Sequence, residues 1–153
     1  MNITAMYFSG TGTTKKVTVA IADELTEIKI SQDETTAGEN PGSIKAGINP
    51  WQRAEDIDFT PPAARREIYR FTPDDLVVFG VPVIAGRVPN VLLKFLDTLQ
   101  GGGALAVPVV LYGNRNFDDA LIELRNILQD RGFYAIGAAA FIGEHSFSRI
   151  LAA

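Results

Sequence analysis

Two segments, Leu76-Val77-Val78-Phe79-Gly80-Val81 and Leu105 to Tyr112, are apolar on both faces of an extended chain. A strand with no polar face has to be covered from both sides, and the usual way is a parallel sheet held between two layers of helices. The segments between them supply those layers. Ile3 to Phe8 is a third β-rich apolar run; after Ser9–Thr14 comes a helical pattern with Val17, Ala20, Ile21 and Leu25 on one face. Asn90 to Leu99 places Leu92, Phe95, Leu96 and Leu99 on one stripe, opened by Pro89 and ended by Gly101-Gly102-Gly103. Asp118 to Arg131 is the clearest helix, with Leu121, Leu124 and Leu128 inward and Gly132 at its stop. Phe133 to Ile142 reads as the last strand. Strands alternating with helices in this way predict an α/β chain with a doubly wound parallel sheet.

The middle is less regular. Glu27–Ser31 and Glu55–Thr60 each fit the second strand, and Pro61-Pro62 followed by Ala63–Tyr69 suggests one short helix. Between the two candidate strands, Gly38, Pro41, Gly42, Gly47 and Pro50 break any period, so residues 32–53, with the only tryptophan, Trp51, read as a loop insertion. After Ile142 a doubly wound sheet needs a closing helix, yet only residues 143–153 follow, and Ser146–Leu151 could start one turn or two. The closing helix is thus expected to be missing. The uncovered face would be an apolar patch. Either the polypeptide is a fragment of a longer one, or a second copy packs there to make a homodimer.

Size and composition narrow the function. A chain of 153 residues, 46% apolar and 21% charged, suits one globular domain spanning residues 1–153. The net charge of −4 argues against nucleic-acid binding driven by bulk electrostatics. With no cysteine there is no disulfide, thiolate nucleophile or iron–sulfur ligation. Met1-Asn2-Ile3-Thr4-Ala5 lacks the basic flank of a signal peptide, and no apolar run approaches the roughly 20 residues of a membrane span. A cytoplasmic location with no membrane contact is the expectation.

The loop after the first strand carries the strongest chemical signal. Ser9-Gly10-Thr11-Gly12-Thr13-Thr14 puts hydroxyls and glycines at a helix N-terminus, where backbone N–H groups and the helix dipole suit a phosphate dianion. It is not a P-loop, because Lys15 follows Thr14 and not a glycine, and is itself followed by Lys16. Nor is it a dinucleotide fingerprint, which needs a third glycine where Lys15 stands. A pocket for one terminal phosphate remains.

Tyr7-Phe8-Ser9-Gly10-Thr11-Gly12-Thr13-Thr14 resembles the phosphate loop of flavodoxins, which holds the terminal phosphate of FMN. Phe79 to Pro89, Tyr112 to Ala120 and Phe141 to Phe147 are similar to the N-terminal flavodoxin-like domain of flavodoxin/ferredoxin fusion proteins. The resemblance spans most of the chain except residues 26–54, and departs from the fusion proteins in lacking cysteine-rich ferredoxin motifs. It implies five strands in the order 2-1-3-4-5, with ligand beyond the strand C-termini where strands one and three diverge. It also implies that Pro82, Val83, Ile84, Ala85, Gly86 and Arg87 line one side of the isoalloxazine. Gly113, Asn114, Arg115, Asn116 and Phe117 would line the other. Gly86 can permit a peptide flip that offers a carbonyl to N5 of reduced flavin, and Phe117, or else Tyr112, would supply an aromatic face or simply pack.

Two arginines in those loops have two readings. Near N1 of the flavin, Arg87 or Arg115 would make the two-electron potential less negative than in a dedicated low-potential carrier. Alternatively Arg87 binds a carbonyl or carboxylate and shapes its loop. His145, the sole histidine, reads as structural more readily than as a proton donor. Asp74-Asp75 and Asp118-Asp119 read as caps, and Lys15-Lys16 and Arg65-Arg66 as solvated faces, the latter also as part of a docking surface. The leading expectation is an FMN-binding domain that passes electrons to a redox partner protein or a ferredoxin-type domain, a redox carrier more than a stand-alone oxidoreductase. An NAD(P)H-dependent FMN or quinone reductase and a flavin-free binding domain are the alternatives.

Overall fold

The computed structural model describes residues 1–39, 52–84, 86–113 and 118–142. Its centre is three long parallel strands side by side: β1 (Asn2–Tyr7), β4 (Asp75–Pro82) and β5 (Leu105–Tyr112). Each flank is built from two short pieces. β2 (Gln52–Arg53) and β3 (Ile57–Asp58) pair with successive parts of β1, and β6 (Tyr134–Ala135) and β7 (Ala139–Ile142) with successive parts of β5. With each broken pair taken as one row, the order is 2-1-3-4-5, all parallel, as the resemblance implied.

Helices cover both faces. Along β1, Ile3, Ala5 and Tyr7 point to one side and Met6 to the other; β4 alternates the same way, with Leu76 and Val78 opposite Val77, Phe79 and Val81. This period of two feeds two cores. The first face packs against α1 (Thr13–Glu39) through Val17 and Ala22. The second packs against α2 (Asn90–Leu96) and α3 (Asp118–Asp130) through Leu92, Leu96, Leu124 and Leu128. Phe59, fully buried, stacks on Phe79 at 5.2 Å and meets Phe95 at 4.9 Å, so the short flank after β3 is anchored in the second core. Burying one such ring stabilises by roughly 1.5–3 kcal/mol.

Several expectations change. Of the two candidates for the second strand, Glu27–Ser31 is helical, because α1 continues through it to Glu39, whereas Glu55–Thr60 contains β3 (Ile57–Asp58); the row is completed by Gln52–Arg53, which like the end of α1 lies inside the segment 32–53 read as a loop insertion. The run Glu27-Ile28-Lys29-Ile30-Ser31 alternates like a strand, but five residues are too few to separate period two from a helix already under way. The inward stripe of α1 holds buried Thr14, Thr18 and Thr26, whereas Ala20 is exposed. Thr18 Oγ1 donates to the Thr14 carbonyl and Thr26 Oγ1 to the Ala22 carbonyl, so these hydroxyls are satisfied within the helix and the side chains pack as small residues. Finally, the last strand is interrupted at residues 136–138, and the short helix after Pro61 is a 3-10 turn over Pro62–Arg66.

Arg53 fastens the new edge. Its Nε donates to Asp23 on α1 at 2.8 Å, its Nη2 to Asp56 at 2.6 Å and its Nη1 to the Ala54 carbonyl. Burial works against its charge, yet the hydrogen bonds to Asp56 and Asp23 raise its pKa. Residues 40–51, including Trp51, and the closing segment 143–153 lie outside the described residues. No helix among the described residues is long and apolar enough to cross a membrane.

Candidate functional site

Because β1, β4 and β5 are parallel, their C-termini end at one edge, and the ladder continues a step past them. Phe8 N–H donates to the Gly80 carbonyl at 3.1 Å and Val83 N–H to the Leu111 carbonyl at 2.7 Å. The Ser9–Thr14 loop, the Val83–Arg87 loop and the chain leaving Tyr112 therefore start side by side.

The Ser9–Thr14 loop is folded around its first hydroxyl. Ser9 Oγ accepts from Gly12 N–H at 3.0 Å and from Lys15 N–H at 3.1 Å, which caps the first turn of α1. Gly12 holds φ +94°, a conformation that side chains with a Cβ rarely adopt. The N–H groups of Gly10, Thr11, Thr13 and Thr14 have no partner among the described residues. A Cβ built on Gly10 or Gly12 would meet nothing within 4 Å. Unpaired donors at the start of a long helix, beside two glycines with open space around them, fit a phosphate dianion. The six residues do not all face that space. Thr14 is buried, with its methyl towards Gly80; Gly10, Thr11 and Gly12 are exposed, and Ser9 and Thr13 half-buried.

Gly80 explains why helix and loop sit so close to the sheet. A Cβ there would overlap the Thr18 hydroxyl and come within 3.3 Å of Thr14 Cγ2. A glycine in the middle of a strand lets a helix approach closely.

The second loop is a four-residue turn closed from both ends. Ile84 N–H donates to the Arg87 carbonyl at 2.9 Å and Arg87 N–H to the Ile84 carbonyl at 3.1 Å, with Gly86 at φ +78°. Pro82 and Val83 are half-buried, and Ile84 is 57% exposed, so the turn offers an apolar tip at the edge. One carboxylate on α3 holds the turn in place. Glu123 Oε2 accepts from Arg87 Nη2 at 2.6 Å, and Oε1 accepts from Val88 N–H at 2.9 Å. The hydrogen bond to Glu123 and its charge raise the Arg87 pKa. Arg87 thus spends its charge on a carboxylate, the second of the two roles open to it from the sequence. Gly113 is exposed at the end of β5. Ala85, Asn114, Arg115, Asn116, Phe117 and His145 lie outside the described residues.

The site also recruits residues that sequence reasoning missed. Ser9 N–H donates to Thr60 Oγ1 at 2.8 Å. Arg65, read from sequence as solvated, is half-buried: its Nη1 donates to the carbonyls of Phe59 at 2.9 Å and Thr60 at 2.6 Å, and its guanidinium lies 5.5 Å from the Phe8 ring centroid. Arg66 is exposed. Thr60, Arg65 and Glu123 join the site across 35 to 57 residues of chain, a separation at which no local pattern marks them. Asp75 does act as a local cap, accepting from Thr72 N–H at 2.9 Å.

Neither a known protein family nor a curated relative matches the sequence. Solved structures do match in three dimensions. A flavodoxin from the domain Archaea aligns with a TM-score of 0.59 at 14% identity, over 98% of this chain and 90% of that one. The flavodiiron core of Flv1 from Synechocystis sp. PCC6803 aligns with a TM-score of 0.52 at 14% identity, over 97% of this chain and 32% of that one. At such identity the likeness establishes the fold: this chain has the flavodoxin-like α/β fold, with a parallel sheet of the expected order.

Proposed function

We propose that this chain is an FMN-binding electron-transfer domain. The observation that carries the reading is the set of open backbone donors at the start of α1, placed beside the C-termini of β4 and β5. In this reading Ser9–Thr14 hold the phosphate, with Gly10, Thr11, Thr13 and Thr14 donating N–H groups and Ser9 shaping the loop. Pro82, Val83, Ile84, Ala85, Gly86 and Arg87 bound one side of the ring, and Gly113, Asn114, Arg115 and Phe117 the other. Bound flavin supplies the one- and two-electron chemistry; the protein supplies the cradle, the slot and the electrostatics. The exposed edge at Ile84 suits a small, weak docking patch, through which a redox partner protein or a ferredoxin-type domain exchanges electrons.

The test is a visible spectrum of the purified protein before and after addition of FMN and removal of free ligand. Retention of an oxidised-flavin band in a stoichiometric amount is expected. A protein that stays colourless in both samples is not a flavin carrier.

A further inference from the structure

We infer that Thr60 and Arg65 are positioning residues of the phosphate loop, acting through the Ser9 peptide; this rests on the FMN reading. The relay has three links, each a short hydrogen bond. Arg65 Nη1 fixes the carbonyls of Phe59 and Thr60. Thr60 is then held at both ends, since its own N–H donates to Asp58 Oδ1 at 2.9 Å and its Oγ1 accepts from Ser9 N–H at 2.8 Å. Ser9 Oγ in turn gathers the N–H groups of Gly12 and Lys15. The side chain of Arg65 also lies over Phe8, the residue just before the loop, so its guanidinium touches both ends of the relay.

The consequence is geometric. The Ser9 N–H is engaged by Thr60 and so is not one of the open donors, which are those at Gly10, Thr11, Thr13 and Thr14. That engagement sets the peptide plane from which the loop departs. The donors are therefore aimed before any ligand arrives, and a binder whose donors are pre-aimed does not have to order them on binding. The 3-10 turn Pro62–Arg66, which the sequence offered as one short helix, is the buttress that keeps Arg65 in place. Arg65 touches no open donor, so its role is to position and not to bind.

A role in positioning phosphate donors must appear in the phosphate-dependent part of the affinity. FMN and riboflavin differ only in that phosphate, so their affinity ratio is the readout. Thr60→Val removes the hydroxyl at constant shape and is expected to weaken FMN about tenfold while leaving riboflavin unchanged, the loss of about one hydrogen bond. Thr60→Ser should restore the FMN affinity. Arg65→Met keeps the apolar stem over Phe8, removes the donors and should lower the ratio by about threefold, because it acts one link further away. Flavin-fluorescence titrations on the full chain give both affinities, and a denaturation midpoint for each variant shows that it folds. Loss of both ligands in equal proportion, or no change in the ratio, overturns the inference while leaving the FMN reading intact. A wild-type chain that binds neither flavin overturns both.

Discussion

The two ends of the sheet use glycine in opposite ways. At the N-terminal end, Gly101 N–H donates to the Arg131 carbonyl and Gly103 N–H to the Gly132 carbonyl, so the turn before β5 is latched to the turn before β6. A Cβ on Gly101 would lie 2.6 Å from the backbone at Gly132 and Phe133, and one on Gly102 would strike the Phe71 carbonyl oxygen. At the C-terminal end, Gly10, Gly12, Gly86 and Gly113 have nothing within 4 Å of a built Cβ. Composition is the same and physics is not. Where glycines are packed backbone to backbone and latched by hydrogen bonds across the turns, they close a structure. Where they stand open beside unused donors, they leave room for something else, and in an open parallel sheet ligands lie at that C-terminal end.

The largest effect should come from forcing a methyl into the closed end. Gly101→Ala would push against the backbone at Gly132 and Phe133 and against the Phe133 ring, and a loss of roughly 2–4 kcal/mol in chemical denaturation is expected. The matching change at the open end, Gly10→Ala, should leave stability within about 0.5 kcal/mol and act on FMN affinity instead. If the two variants lose equal stability, the contrast between the ends is false.

Gly80→Ala sharpens the comparison from inside the sheet. The added methyl meets Thr18 on α1, a buried side chain that is itself bonded back to Thr14, so a cost of about 1–3 kcal/mol is expected. Because α1 carries the proposed phosphate loop, the same variant should also weaken FMN. Stability lost without any loss of binding would show that the loop does not depend on how closely the helix seats.

Ser9→Ala removes the hydroxyl that gathers Gly12 and Lys15 N–H, and should cost about 1 kcal/mol as a lost cap. Its larger effect should be on the affinity ratio of FMN to riboflavin. A stability loss with an unchanged ratio would make Ser9 a cap and nothing more.

The smallest effect concerns pH. Burial, then the charges of Asp56 and Asp58, raise the pKa of Tyr7 at the end of β1. The fold therefore favours the neutral phenol. Its contribution is complete below the ordinary phenol pKa of about 10 and is lost as pH rises through the higher folded value. Denaturation midpoints measured across that alkaline range should fall with pH, and less steeply in Tyr7→Phe. Parallel slopes for the two proteins would refute the assignment.

The parts of the fold legible in the sequence are those whose neighbours repeat at a fixed period. Leu105–Tyr112 is the strand it was read to be, and Leu76–Val81 and Asp118–Arg131 differ from β4 and α3 only at their ends. The flanking rows were legible only in part: Glu55–Thr60 holds Ile57–Asp58 and Phe133–Ile142 holds Tyr134–Ala135 and Ala139–Ile142, whereas Gln52–Arg53 is two residues held by backbone bonds such as Gln52 N–H to the Met1 carbonyl and by Arg53, not by an apolar pattern. Of the site, the Ser9–Thr14 loop could be read because its hydroxyls, glycines and helix start are consecutive. The clamp of Glu123 on Arg87 and Val88 could not, nor could the relay from Arg65 to Ser9.

By itself, then, the sequence determined the alternation of buried strands and amphipathic helices and the place of the hydroxyl- and glycine-rich first loop at a helix start, since both are written in neighbouring residues and their period. Only the tertiary structure decided which carboxylate neutralises Arg87, which threonine engages Ser9 and which glycines are filled or open. Those choices depend on side chains tens of residues apart meeting at distances of about 3 Å, and a hydrogen bond weakens too steeply with distance and angle for any one-dimensional pattern to encode it.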